Sequence, residues 1–261
     1  MGLGDNLMAT GMARGARDRG KRIAFGDGTK IVWDHYSEQI FRNNPNIAPP
    51  GDENDPDIEW VPFYRSHRIY NKQVGDRWEW NYEFKAIPGE LFFSDDENKF
   101  AQHFGEGYIV IEPNVPEFKT VSPNKQWETR RYNKVAKLLK KNGHSVVQFY
   151  STLSRHIIPG AIQIRTPTFR HAVAALKNAA LYIGPEGGLH HGAASVGTPG
   201  VVLFGGFIPP AVTGYDFHTN LTGGAVACGS LHRCDHCREA MDRITVPAVM
   251  EAASNYMKVA A

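Results

Sequence analysis

One stretch limits the fold of this chain more than any other: Leu181-Tyr182-Ile183-Gly184-Pro185-Glu186-Gly187-Gly188-Leu189-His190-His191-Gly192-Ala193-Ala194. A short apolar run reads as a buried strand, and it leads through a glycine-rich turn into a helix of small residues. A helix N-terminus presents unpaired N–H groups and a partial positive charge. Glycines let an anion approach that backbone closely. In an open α/β sheet, the crevice at such a strand end is where ligands sit. A turn needing glycine for geometry alone has the same shape, but Glu186, His190 and His191 crowd this one with chemistry.

The surroundings support a strand–helix alternation. Leu7, Met8, Met12 and Ala16 fall near helical spacing, predicting a helix after Asp5, capped by Asp5 or Asn6 and stopped at Gly20. A short strand follows over 21–26. The first strand of that β-α-β unit belongs before Asp5, where only four residues stand. Residues 43–58, rich in Asn, Pro, Asp and Gly, read as loop. Residues 59–93 are dense in aromatics and read as short strands and loops whose rings mostly enter a core; contact with an acceptor sugar is an open second role. Ser94 followed by acids opens a helix to about Phe104. Strands are then predicted at 108–111, 145–150, 162–164, 180–183 and 200–204. Helices are predicted at 125–142, 168–178, 188–196 and 247–258. This order implies a parallel, doubly wound sheet.

Composition narrows the function classes. The 261 residues are 42% hydrophobic and carry a net charge of +2. That balance gives no strong signal for nucleic acid. No apolar run approaches the roughly 20 residues of a membrane helix, and residues 1–16 lack the apolar stretch of a signal peptide. The three cysteines all lie between Cys228 and Cys237. An odd, clustered count argues against a disulfide framework. The expectation is a cytoplasmic protein.

The run from Glu186 to Pro199, followed by Val201-Val202-Leu203-Phe204-Gly205, resembles the heptosyltransferase-like glycosyltransferases of family 9. Their pattern is a strand, Asp-Thr-Gly-x-x-His-x-Ala-Ala-x-Gly-Thr-Pro, a strand and Phe-Gly. Two further matches follow in order: Gly4-Asp5 before a helix, and Asn124-Lys125-Gln126-Trp127 after Ile111-Glu112-Pro113-Asn114. The resemblance covers residues 4–25 and about 108–250. It implies an α/β, GT-B-like architecture of two Rossmann-like domains with parallel sheets. A reduced acceptor-side domain would span 1–105 and a nucleotide-sugar-binding domain 106–261.

The resemblance also implies an activity: metal-independent transfer of a heptose or other hexose-like sugar from a nucleotide diphosphate sugar to an acceptor hydroxyl. The acceptor would be a glycan, a lipid-linked molecule or another hydroxyl compound. Asp5 falls at the family's general base. Glu186 falls at its donor-contacting Asp, one methylene longer, and His191 at its His. Lys125 falls at its phosphate-contacting lysine, and Gly187, Gly188 and Leu189 complete the donor loop. Each has a plainer reading: Asp5 as a helix cap, Lys125 as a solvated lysine. A rival to the enzyme is a degenerate member that binds nucleotide sugar without turnover. Family members often carry cysteines where Cys228, Cys234 and Cys237 stand here. With His232 or His236 these offer four ligands for a structural zinc or iron; the alternative is three thiols in a loop.

Overall fold

The computed structural model describes residues 1–115, 120–152 and 154–257. The chain opens with α1 (Leu3–Ala9), α2 (Gly11–Asp18), β1 (Arg22–Phe25), α3 (His35–Phe41) and β2 (Ile58–Val61). A hairpin of β3 (Asn71–Val74) and β4 (Arg77–Trp80) and then α4 (Asp95–Gln102) lead to β5 (Tyr108–Ile111). After a 3₁₀ turn (Ser122–Lys125) come α5 (Thr129–Lys141), β6 (Val146–Tyr150), β7 (Ile162–Arg165), α6 (Phe169–Leu176) and β8 (Ala179–Pro185). The chain continues through α7 (Gly188–Ser195), β9 (Gly200–Leu203), α8 (Pro210–Thr213), β10 (Thr219–Leu221), α9 (Asp235–Arg243) and α10 (Val246–Met257).

Strands β5 to β10 form one parallel sheet in the spatial order β10-β9-β8-β5-β6-β7. The chain builds outward from β5 through β6 to β7, crosses back to β8, and builds the other way to β10. The reversal lies between β5 and β8, so their C-terminal ends flank the crevice of a doubly wound sheet. Side chains alternate between two buried faces, as a sheet covered on both sides requires. Ile109, Ile111, Leu181 and Ile183 pack with Trp127, Tyr132 and Ala253. Tyr108, Val110, Tyr182 and Val202 pack with Ala172, Leu176 and Ala193. Trp127 is 1% exposed and its indole N–H donates to the Ile244 carbonyl at 2.9 Å, which ties the start of α5 to the end of α9.

The N-terminal segment is smaller. β1 pairs in parallel with β2, and Ile23 makes a single bridge to Ile47. Among the described residues no strand precedes α1. Its core of Leu7, Ile23, Phe25, Ile40, Phe41 and Phe63 also takes in Ala194, Val212 and Tyr215 from the second half. A buried ion pair fixes α4 to α6: the Arg170 guanidinium donates to both Glu97 oxygens at 2.6 and 2.9 Å and to the Phe92 carbonyl at 2.5 Å. Burial would raise the Glu97 carboxyl, but Arg170 and the Ser94 N–H hold it below its ordinary range.

Several boundaries differ from the sequence reading. The first helix begins at Leu3, with Gly2 at the N-cap; Asp5 stands at the third helical position, where its carboxylate accepts from the Gly2 N–H and closes the first turn, and Asn6 lies inside the helix. It breaks at Thr10, whose hydroxyl donates to the Leu7 carbonyl and accepts from the Glu90 N–H. There the chain at Gly89 lies so close that a Cβ would sit 2.1 Å from the Leu7 oxygen. The helix expected at 125–142 begins at Thr129, which leaves Lys125 at the end of the 3₁₀ turn rather than at a helix start. Helix α3 escapes periodicity because it has only seven residues, yet Asp34 caps it by accepting from the Tyr36 and Ser37 N–H groups. Helix α9 and strand β10 are likewise too short for a periodic signal. Lys258, the expected end of the last helix, lies outside the described residues.

Candidate active site

The glycine-rich turn falls at the reversal point of the sheet. Strand β8 is buried through Pro185, Glu186 follows it, and α7 starts at Gly188. Glu186 is the pivot of the site. One oxygen meets the Lys125 ammonium, and the other lies 3.4 Å from His191 Nε2. Burial alone would push this carboxyl up; the Lys125 charge and the His191 contact override it and hold it at about 2. Glu186 is therefore an anion at neutral pH. The other face of the His191 ring is fixed, with Nδ1 2.8 Å from the Tyr215 hydroxyl. Lys125 Nζ also sits 5.4 Å from the Phe207 ring centroid, a cation–π contact. Gly187, Gly188 and Leu189 are partly exposed along the same rim.

Asp5 reaches this rim from the other half of the sequence. The start of α1 lies directly on the start of α7: a Cβ at Gly4 would come within 2.8 Å of Gly188 Cα and 3.1 Å of the His191 ring. Only glycine permits that approach. One Asp5 oxygen accepts from the Tyr70 hydroxyl at 2.7 Å, and the other accepts from the Gly2 N–H at 2.7 Å with Arg68 at 3.9 Å. Arg68 in turn lies 4.6 Å from the Trp78 ring centroid. Burial and the Asp5 charge push the Tyr70 phenol well up, so it stays a hydroxyl donor; Glu186 adds to the same push. Thus the carboxylates of Asp5 and Glu186 bear on one phenol.

The structure brings together Asp5, Lys125, Glu186, Gly187, Gly188, Leu189 and His191. It adds residues the sequence reading did not single out. Tyr70, Arg68, Tyr215 and Phe207 stand out by no spacing rule. Glu112 follows β5 beside Gly184 of β8, where an added Cβ would come within 3.1 Å of the Glu112 Cβ. Its carboxyl accepts from the Asn114 backbone and side chain at 2.6 and 2.9 Å, yet burial raises it to about 7. His190 has both ring nitrogens buried without a partner among the described residues, and burial keeps it neutral.

The cysteines also converge. Cys228 Sγ lies 3.7 Å from Cys234 Sγ and 3.3 Å from Cys237 Sγ. All three sulfurs lie within 4.8 Å of one another. Neither His232 nor His236 joins them, and His236 Nε2 instead lies 2.8 Å from the Val226 carbonyl. The expected fourth ligand is thus not supplied by either histidine. The residues present give three of the four ligands of a closed structural site.

Comparison with solved structures places the fold in a class. The family 9 glycosyltransferase of Veillonella parvula DSM 2008 aligns with a TM-score of 0.54 at 16% identity, over 67% of this chain and 55% of that one. The iron-containing dodecameric glycosyltransferase TibC from enterotoxigenic E. coli H10407 aligns with a TM-score of 0.51 at 17% identity, over 68% and 50%. The E. coli ADP-heptose lps heptosyltransferase II gives 0.47 at 21%, over 64% and 53%. The chain spans about half the length of these solved relatives. Curated proteins give no match. The fold is the doubly wound α/β class of these glycosyltransferases. A profile of glycosyltransferase family 9 (heptosyltransferase) matches residues 65–244, and the chain belongs to that family.

Proposed function

We propose that this chain transfers a sugar, a heptose or hexose-like unit, from a nucleotide diphosphate sugar to an acceptor hydroxyl. The observation that carries the reading is the Lys125–Glu186–His191 cluster at the sheet reversal, with the Asp5 end of α1 seated against it. Lys125 and the N–H groups at the start of α7 would hold the diphosphate. Their positive charge stabilises the leaving nucleoside diphosphate as the glycosidic bond breaks, an electrostatic role that asks for no metal. Glu186 would orient the donor sugar. Asp5, held by Tyr70 and Gly2, would take the proton of the acceptor hydroxyl as the new bond forms. Residues 1–105 would carry the acceptor side and 106–261 the donor side. Cys228, Cys234 and Cys237 would hold a structural zinc or iron; elemental analysis that finds neither metal in purified protein removes this part.

The test is nucleoside diphosphate release with ADP-heptose as first probe, with and without a glycan acceptor. Release that depends on acceptor supports transfer. Glu186, one methylene longer than the family's Asp at that place, favours one rival, a member that binds nucleotide sugar without turnover. Calorimetric binding of ADP-heptose with no release under any acceptor would select it. No helix among the described residues is long and apolar enough to cross a membrane.

A further inference from the structure

We propose that Asn124 is a positioning residue that holds Lys125 against Glu186, using the cysteine loop as its anchor. The functional half of this inference rests on Lys125 as a diphosphate contact.

Asn124 is 1% exposed, and its amide is spent on one loop. Its Nδ2 donates to the Ser230 carbonyl at 3.2 Å and to the His232 carbonyl at 2.8 Å. Its Oδ1 accepts from the Cys234 N–H at 3.0 Å. Two donors and an acceptor in one plane are what a carboxamide offers and a carboxylate or hydroxyl does not. The next residue is Lys125, so the three bonds fix the backbone from which the ammonium reaches Glu186.

The same loop grips the other side of the lysine. The Cys228 N–H donates to the Gly206 carbonyl at 2.9 Å, and the Gly229 N–H to the Phe207 carbonyl at 3.1 Å. The Phe207 ring is the one that faces the Lys125 ammonium. At its base the loop is drawn together by the three sulfurs of Cys228, Cys234 and Cys237. The loop therefore anchors the backbone before Lys125 and the ring beside its charge. A fully satisfied buried amide of this kind orders its surroundings because any unmatched partner is costly there.

Asn124→Asp is close to isosteric but sets a carboxylate against two carbonyl oxygens. In ligand-free protein, the coupling between Lys125 and Glu186 is read from the Tm values of Lys125→Met, Glu186→Gln and the double variant. In the wild-type background we expect a non-additive shift of about 4 °C or more. In the Asn124→Asp background we expect that shift to fall by at least half; an undiminished shift overturns the proposal. With ADP as probe, Lys125→Met and Asn124→Asp should each weaken binding about tenfold, and the double variant should bind no more weakly than Lys125→Met alone. Equal losses from Asn124→Asp with and without Lys125 overturn it, because a purely structural role adds. If wild-type protein binds neither ADP nor pyrophosphate, the donor reading fails, and the ligand-free cycle still decides whether Asn124 sets the lysine. Asn124→Ser, which keeps a single hydrogen bond without the added charge, serves the same cycle if Asn124→Asp does not fold.

Discussion

Glu186 and Asp5 are two carboxylates at one rim, and they are built in opposite ways. The Glu186 side chain is 4% exposed, follows a buried central strand, and is held by a cation and an imidazole. The Asp5 side chain is 24% exposed, stands in the first turn of a seven-residue helix, and is held by a phenol 65 residues away. The first is rigid because a parallel sheet covered on both faces fixes the backbone beneath it. The second depends on packing between segments distant in sequence. The contrast fits the proposed transfer reaction, in which Glu186 would serve the donor and Asp5 the acceptor.

The largest effect should come from removing the charge that Glu186 faces. Lys125→Met leaves a buried carboxylate with only the His191 imidazole beside it, at a cost approaching the roughly 3–5 kcal/mol of breaking a buried pair. The sign with pH is fixed by the lowered carboxyl. Its stabilisation is full above the unfolded carboxylate range near 4.5 and is lost as pH falls through about 2. Unfolding midpoints of wild type and Lys125→Met should therefore differ most near neutrality and converge toward pH 2; a gap that is constant with pH would break the assignment of Lys125 as the cause.

Asp5→Asn should separate the two ends. Loss of a general base lowers turnover about 10²–10⁴-fold, while ADP affinity, measured by calorimetry, should change less than about threefold. An equal fall in both would mean that Asp5 belongs to the donor grip.

Glu112 probes the buried end of β5 beside β8. Its folded value near 7 lies above the unfolded one, so its contribution is full below about 4.5 and is lost as pH rises through 7. Glu112→Gln should remove a loss on the order of 2 kcal/mol between pH 5 and 8.5, seen as a flatter Tm profile. The smallest effect is expected of Tyr70→Phe, which deletes one hydrogen bond to Asp5. Net bonds of this kind are worth about 0.5–1.5 kcal/mol of stability, so Tm should fall by only a few degrees and turnover by about 2- to 12-fold. A fall as deep as that of Asp5→Asn would move Tyr70 into the proton-transfer step itself.

The parallel sheet was legible apart from its edge strand β10, because β5, β6, β8 and β9 are short apolar runs separated by helices, and such runs hardly suit any other architecture. The donor loop was legible because strand end, glycines, acid and histidine are contiguous. The cysteine cluster was visible as a cluster but not as a ligand set, since adjacency in sequence does not aim the His232 and His236 rings. The N-terminal half was mostly illegible. Its strands have four residues, its helices seven or eight, and α1 is shaped by Gly89 and Glu90 pressing on Leu7 and Thr10 from some 80 positions away.

By itself, then, the sequence determined the doubly wound half, the family and the turn that carries Glu186 and His191, because those depend on local pattern and on chain order. Only the tertiary structure decided what faces what: Lys125 at the end of a 3₁₀ turn rather than a helix start, Asn124 moored to the cysteine loop, Tyr70 on Asp5, and Gly4 against Gly188. Those contacts include pairs more than 100 positions apart. They are set by how buried surfaces interlock, which no spacing along the chain records.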